Sequence, residues 1–177
     1  MTMTLIETKV LGTAQASIEF TSIPQDGTDL LLLTSLRTAR ASTIEGLLIA
    51  FNGSSSNFTF RNLEGITTSV GSGSGSSGRA GVINGDTSTA NTFANQSIYI
   101  PNYAGSTNKS YSVDSVKEAN GSSTYDGFQE LVAGLWSQTA AITSVRLTPD
   151  LGNNLKAGST VSLYKITKGS SGGVVVS

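Results

Sequence analysis

Every apolar run in this chain is of strand length, and turn signals are spread along the chain between them. Leu30 to Leu33 and Leu47 to Phe51 are such runs, far short of the ~18 consecutive apolar residues of a membrane-spanning helix. Between the runs stand Gly12, the group Ile23-Pro24-Gln25-Asp26-Gly27, Asn52-Gly53, Asn84-Gly85-Asp86 and Pro101. Proline presets φ in such turns, and Asp-Gly or Asn-Gly supplies a residue that tolerates positive φ. Turn signals recur roughly every 8 to 15 residues, no cap-and-heptad pattern extends any run, and no fixed repeat period appears. This predicts an all-β chain: an antiparallel β-sandwich of about ten strands, jelly-roll-like.

The C-terminal stretch from Ala140 to Gly169 carries the clearest pattern. Two runs, Ile142 to Leu147 and Val161 to Ile166, flank a segment with Pro149, Asp150, Gly152, Asn153, Asn154 and Gly158. The spacing predicts a β-arch or a long hairpin. In the first run Val145 and Leu147 share one face, opposite Ser144, Arg146 and Thr148. In the second, Val161 and Leu163 lie on one face and Tyr164 and Ile166 on the other. A strand apolar on both faces is central in a sandwich or touches a second subunit, which makes Tyr164 and Ile166 candidate interface residues.

Earlier in the chain, Leu5 to Leu11, the alternation at Ala16, Ile18 and Phe20, and the leucine-rich Leu30 to Leu36 read as strands, the last buried and central. Gly46 to Phe51 and the alternating Phe58 and Phe60 are joined by NGSSSN, which predicts a hairpin. Val70 to Arg79, VGSGSGSSGR, has linker composition and is expected to be a flexible surface loop. Val82-Ile83, Phe93 to Ile100 and Tyr111 to Ser115 read as further strands. Phe128 to Trp136 reads as a strand irregular at Gly134, with a short helix from Phe128 to Leu135 as the alternative. The expected organisation is one domain over residues 1–168 and a flexible tail over 169–177. In that tail, GSSGGVVVS, the residues Val174, Val175 and Val176 are either a frayed end or a strand donated to a neighbour.

The residue inventory narrows the chemistry. The chain has no cysteine and no histidine, which removes disulfides, thiolate metal sites and the commonest general base and zinc ligand. Charged residues make up 13% and the formal net charge is −1, about half the usual charged share, so no global field favours nucleic acid or an acidic membrane. Gly71 to Gly78 has the glycine content of a phosphate cradle, but Arg79-Ala80 follows where Lys-Ser/Thr is needed, and the Lys109-Ser110 pair lacks the adjacent glycine. The acids are scattered without a visible pairing, and Asp150-Leu-Gly-Asn-Asn154 reads as a turn, not a calcium loop. No enzymatic activity and no cofactor is expected. Trp136, the single tryptophan, is either core or a sugar-stacking platform; Tyr103, with Tyr99, Tyr111 and Tyr125, is a candidate for an outer face or a ligand contact. The opening MTMTLIETKV has no basic region followed by an apolar run, so synthesis without secretion, in a cytoplasm, is expected.

Four stretches carry a resemblance: SIEFTSIPQDGTDLLLLTSLRT (Ser17 to Thr38), LLIAFNG (Leu47 to Gly53), SIYIPNYAGSTNKS (Ser97 to Ser110) and WSQTAAITSVRLTPDLGNNLKAGSTVSLYKI (Trp136 to Ile166). Together they resemble small virion structural proteins of tailed bacteriophages. Ala157 to Thr160 with Leu163-Tyr164 and Ile166 is similar to the closing strand of their jelly-roll domains. The resemblance implies a virion protein made in the host cytoplasm, non-enzymatic, with a jelly-roll fold. Two roles follow from it. One is a capsid decoration or cement protein that binds the major capsid protein or other virion proteins, often as a homotrimer, with no nucleic acid and no membrane as partner. The other is a tail-fibre or receptor-binding protein that recognises a host surface glycan. A soluble carbohydrate-binding module is a separate alternative.

Overall fold

The computed structural model describes residues 1–168. Its elements are β1 (Thr2–Val10), β2 (Ile18–Phe20), β3 (Asp29–Leu36), β4 (Ile44–Phe51), β5 (Phe58–Ile66), β6 (Ser69–Gly75), β7 (Arg79–Asn84), β8 (Ala94–Pro101), β9 (Lys109–Glu118), β10 (Gly127–Trp136), β11 (Val145–Pro149) and β12 (Thr160–Thr167). No helix occurs among the described residues. The strands form an antiparallel β-sandwich: an eight-stranded sheet in the order β1-β12-β3-β8-β9-β10-β5-β6 and a four-stranded sheet in the order β2-β11-β4-β7.

The alternation read in the sequence sets the inner faces. In β9, Tyr111, Val113, Ser115 and Lys117 point inward and Ser110, Ser112 and Asp114 outward. In β11, Val145 and Leu147 are buried, as their spacing predicted. β3 lies within the large sheet, but only half of its leucine run is core. Leu30 and Leu32 are fully buried, whereas Leu33 is exposed on the outer face, because a period of two sends alternate residues to opposite sides.

Three expectations are corrected. The NGSSSN link does not close a hairpin: β4 belongs to the small sheet and β5 to the large one. Here Asn52 and Asn57 sit at positive φ, and the Asn52 side chain binds the Ala141 carbonyl and the Thr143 and Ser144 amides. The link therefore arches between sheets, as does the segment from β11 to β12, which resolves the arch-or-hairpin alternative. The expected flexible loop at residues 70–79 holds β6, paired in unbroken register with β5 from Ser69↔Ile66 to Gly75↔Phe60. Its glycines 71, 73 and 75 face inward, and the opposite β5 side chains fold over them; a Cβ at Gly75 would sit 2.5 Å from the Phe60 ring. This strand brings the total to twelve. Finally, β10 is regular through Gly134, which pairs with both Tyr111 and Phe60. The glycine is needed because a Cβ there would lie 2.0 Å from the Tyr111 ring.

The core holds an aromatic cluster where β4, β5, β9 and β10 meet. The Phe51 ring lies 5.4 Å from Phe58, 5.9 Å from Tyr111 and 5.5 Å from Trp136, two of the three edge-on. Such pairs add about 0.5–1.5 kcal/mol each beyond the area they bury.

Beside it runs a polar row. By register, Thr34, Gln96, Ser115, Glu130 and Glu64 line up across β3, β8, β9, β10 and β5. β7 lies along this row, across the strands of the large sheet. Gln96 donates to the Val82 carbonyl (2.6 Å), the Val82 amide donates to Ser115 Oγ (3.1 Å), Tyr111 donates to the Arg79 carbonyl (3.1 Å), and Arg79 pairs with Glu130 at 3.0 Å. The free backbone edge of the small sheet is thus satisfied by side chains of the large one.

Candidate interaction surface

The buried charged side chains are bonded to other side chains and to backbone of the same domain. Glu130 accepts from Arg79 at two oxygens (3.0 Å each) and from Asn62 (2.8 Å). Glu45 accepts from Thr38 (2.6 Å), the Leu151 amide (3.1 Å) and Asn153 (3.0 Å). Arg37 donates to the carbonyls of Asp86, Ser88, Thr89 and Thr92. Lys109 is buried; its ammonium donates to the carbonyls of Gly105, Thr107 and Thr139, and burial pushes its pKa down. That geometry gives the Lys109-Ser110 pair a structural role in a loop.

Trp136 and Tyr103, the candidates for ligand stacking, are corrected. Trp136 is 3% exposed within the aromatic cluster, and Tyr103 is fully buried. The Tyr103 hydroxyl donates to the Pro24 carbonyl and accepts from the Gly27 amide, which fastens the Ile23-to-Gly27 turn, and burial raises its pKa. Neither ring offers a free face. The tyrosines do not gather either: Tyr111 is core, Tyr125 is exposed in the β9–β10 loop, and Tyr99 lies on the outer face of β8.

Tyr99 belongs to a second arrangement. Its hydroxyl donates to Asp29 Oδ2 at 2.7 Å, and that bond, with burial, pushes the phenol up to about 12. Burial alone would raise the Asp29 carboxyl. Hydrogen bonds from Tyr99, from the Asn102 amide at 3.0 Å and from Lys168 outweigh it and hold the carboxyl below its ordinary value.

The outer face of the large sheet is where apolar side chains collect without cover. Register places Leu5, Tyr164, Leu31 and Tyr99 in one row across β1, β12, β3 and β8. Met3 and Ile166 extend it on one side and Leu33 on the other. Tyr164 and Ile166, singled out by the two-faced pattern of their strand, therefore lie on this outer face, with Ile166 buried among its neighbours and Tyr164 half-buried. A second cluster sits at the far end, on β9, β10, β5 and β6. There Leu131 and Leu63 are direct cross-strand partners, 57% and 63% exposed, and Val116 and the 92% exposed Val70 occupy the next row. Polar Asn95, Ser97, Ser112 and Asp114 separate the clusters. The candidate residues Val174, Val175 and Val176 lie outside the described residues.

The sheet edges differ in how they are guarded. β1 carries Glu7 and Lys9 and a register shift between Leu5 and Glu7; β2 is three residues long; β7 is covered by side chains. Charge, bulges and short length are the usual protection against edge pairing. β6 has none of these.

Comparison of the chain with protein-family models, with curated proteins and with solved structures finds no match.

Proposed function

We propose that this chain is a non-enzymatic virion structural protein of a tailed bacteriophage, a decoration or cement protein that binds the major capsid protein and stabilises the head shell. The observation that carries the reading is the apolar row Leu5–Tyr164–Leu31–Tyr99, with Met3 and Leu33, on the outer face of a sandwich that already has a complete core. Contiguous uncovered apolar surface marks an interaction site. Buried charges already bonded within the domain, and continuous sheet beneath the row, suit a protein whose work is adhesion to a lattice. Each copy contributes apolar burial worth about 25 cal/mol per Å² before ordering costs, and many copies make weak contacts sufficient.

A jelly-roll topology is part of the proposal. Its support is the strand order. The small sheet runs β2-β11-β4-β7, and one half of the large sheet runs β1-β12-β3-β8. Counted as eight strands in chain order, these two rows run 2-7-4-5 and 1-8-3-6, which is the order expected of two interleaved Greek keys. β9, β10, β5 and β6 extend the large sheet beyond β8.

Immunogold labelling of intact particles with an antibody to this chain tests the assignment. Label spread regularly over heads is the expected result. Label confined to tail tips overturns the decoration role and makes the outer face a receptor contact; unlabelled particles overturn the virion assignment itself.

A further inference from the structure

We infer that the outer face of β9, β10, β5 and β6 is an interface between two copies of this chain, related by a two-fold axis that runs parallel to the strands between β10 and β5. The inference comes from the register and is independent of the shell-binding reading. Across these four strands three outward rows can be read: Ser112–Ala133–Arg61–Ser74, Asp114–Leu131–Leu63–Ser72, and Val116–Gln129–Gly65–Val70. A two-fold parallel to the strands exchanges β10 with β5 and β9 with β6. Leu131 of one copy then faces Leu63 of the other, Val116 faces Val70, Asp114 faces Ser72, Gln129 faces Gly65, and Ala133 faces Arg61. Each large aliphatic side chain of the patch meets an aliphatic one, the one carboxylate meets a hydroxyl, and no like charges oppose. A two-fold across the strands fails this test: it sets Asp114 against its own copy and puts both valines on serines. Of these two orientations only the first makes the patch self-complementary, as an isologous contact requires.

The patch is highest at its centre. Two shallow concavities, about 600 Å³ and about 630 Å³, flank the Leu63–Leu131 pair. The first is bordered by Val70 and Val116 and the second by Arg61 and Ala133. The two-fold sets each against its counterpart on the other copy, so the contact centres on the Leu63–Leu131 pairs, with room beside them for the Gln129 and Arg61 side chains. With strands about 4.8 Å apart and sheets packing face to face at about 10 Å, the overlap is a face roughly 20 Å on a side, or roughly 400 Å² per copy. That lies below the ~800 Å² per partner of a standard interface, so the dimer forms at high local concentration. The outer faces of β1, β12 and β3 project beyond the overlap and stay free.

The test is sedimentation of the full chain from about 10 μM to about 1 mM, with two single variants, Leu131→Lys and Leu63→Glu. Both positions are more than half exposed, so folding is preserved, and matching far-UV spectra check it. The wild type is expected to shift with concentration toward twice the 18.2 kDa monomer mass. Each variant alone is expected to lose this shift at least tenfold in concentration. An equimolar mixture of the two is expected to recover it, because the lysine of one copy then faces the glutamate of the other and the second leucine pair is intact. Three results overturn the inference: a wild type that stays monomeric at about 1 mM, variants that associate as the wild type does, or a mixture that fails to recover association. A mass of three copies in place of two also overturns it.

Discussion

The side-chain amide of Gln96 on β8 crosses between the sheets and donates to the main-chain carbonyl of Val82 on β7 at 2.6 Å. Beside it, Ser115 Oγ accepts the Val82 amide at 3.1 Å. These bonds let an edge strand end inside the protein, since the amide and carbonyl of a buried residue need partners. Ser115→Ala leaves the Val82 N–H buried without an acceptor and is expected to cost about 1–3 kcal/mol, or about 2–4 °C in Tm for each kcal/mol in a chain of this size. Ser112→Ala, on the solvent face of the same strand, is expected to change stability by less than about 0.5 kcal/mol. Urea unfolding of the two variants beside the wild type checks both values.

Arg79 and Glu130 fasten the other end of the same crossing, with the Glu130 side chain fully buried and that of Arg79 20% exposed. Arg79→Met leaves a buried carboxylate with Asn62 as its remaining side-chain partner. The expected cost is about 3 kcal/mol, the low end for a broken buried pair, because the guanidinium is partly solvated. The double variant Arg79→Met, Glu130→Leu is expected to be more stable than Arg79→Met alone, since it removes the stranded charge. A double-mutant cycle in urea measures the coupling.

The Asp29–Tyr99 bond predicts stability losses at both ends of the pH scale. Asp29 has a lowered folded pKa. Its stabilisation is present above the ordinary aspartate value near ~3.9 and is lost as pH falls through the folded value. Tyr99 has a raised one, about 12; its stabilisation is complete below the ordinary tyrosine value near ~10 and is lost as pH rises through about 12. Asp29→Asn is expected to flatten the acid limb of the stability curve, and Tyr99→Phe the alkaline limb. In absorbance titration Tyr99, Tyr103 and Tyr111, all raised, are expected to ionise only above ~10, and Tyr99→Phe should delete one of those late steps.

Strands were legible where apolar residues alternate, as at Val145 and Leu147 or Tyr111 and Val113. They were illegible where the neighbouring strand supplies the cover. β6 has only glycine, serine and one valine, and it is a strand because Phe60, Asn62 and Glu64 fold over its glycines. Sheet membership was hidden for a related reason: Asn-Gly and Ser-rich links serve a hairpin and an inter-sheet arch equally well, and what separates them at Asn52 is a set of bonds to residues 141–144. The two-sided pattern of the last strand brought Tyr164 and Ile166 forward as interface candidates; the structure places both on the outer face, with Ile166 buried by its neighbours. The rest of that face could not be read in advance. Leu5, Tyr164, Leu31 and Tyr99 come from four strands far apart in the chain, and only register makes them neighbours. The aromatic rings misled because ring content does not reveal burial; Trp136 and Tyr103 have the chemistry of a stacking platform and the position of core.

The outer row makes the shell-binding proposal quantitative. Leu5 and Leu33 are both substantially exposed, so Leu5→Asp and Leu33→Asp remove little packing and should keep Tm within a few degrees of the wild type. On docking, however, each new carboxylate would be taken out of water with no partner provided for it, a penalty that lowers affinity well beyond the lost apolar area. Each variant is expected to weaken cosedimentation with purified head shells by tenfold or more, equivalent to about 1.4 kcal/mol. Leu151→Asp offers the control, since Leu151 is equally exposed but lies in the turn after β11, away from the row, and its binding should match the wild type. Equal binding by all three variants would remove the β1–β12–β3 face as the contact. A uniform loss, Leu151→Asp included, would point to general electrostatic repulsion from the shell, and repeating the assay at high salt separates that from a local contact because screening relieves only the former.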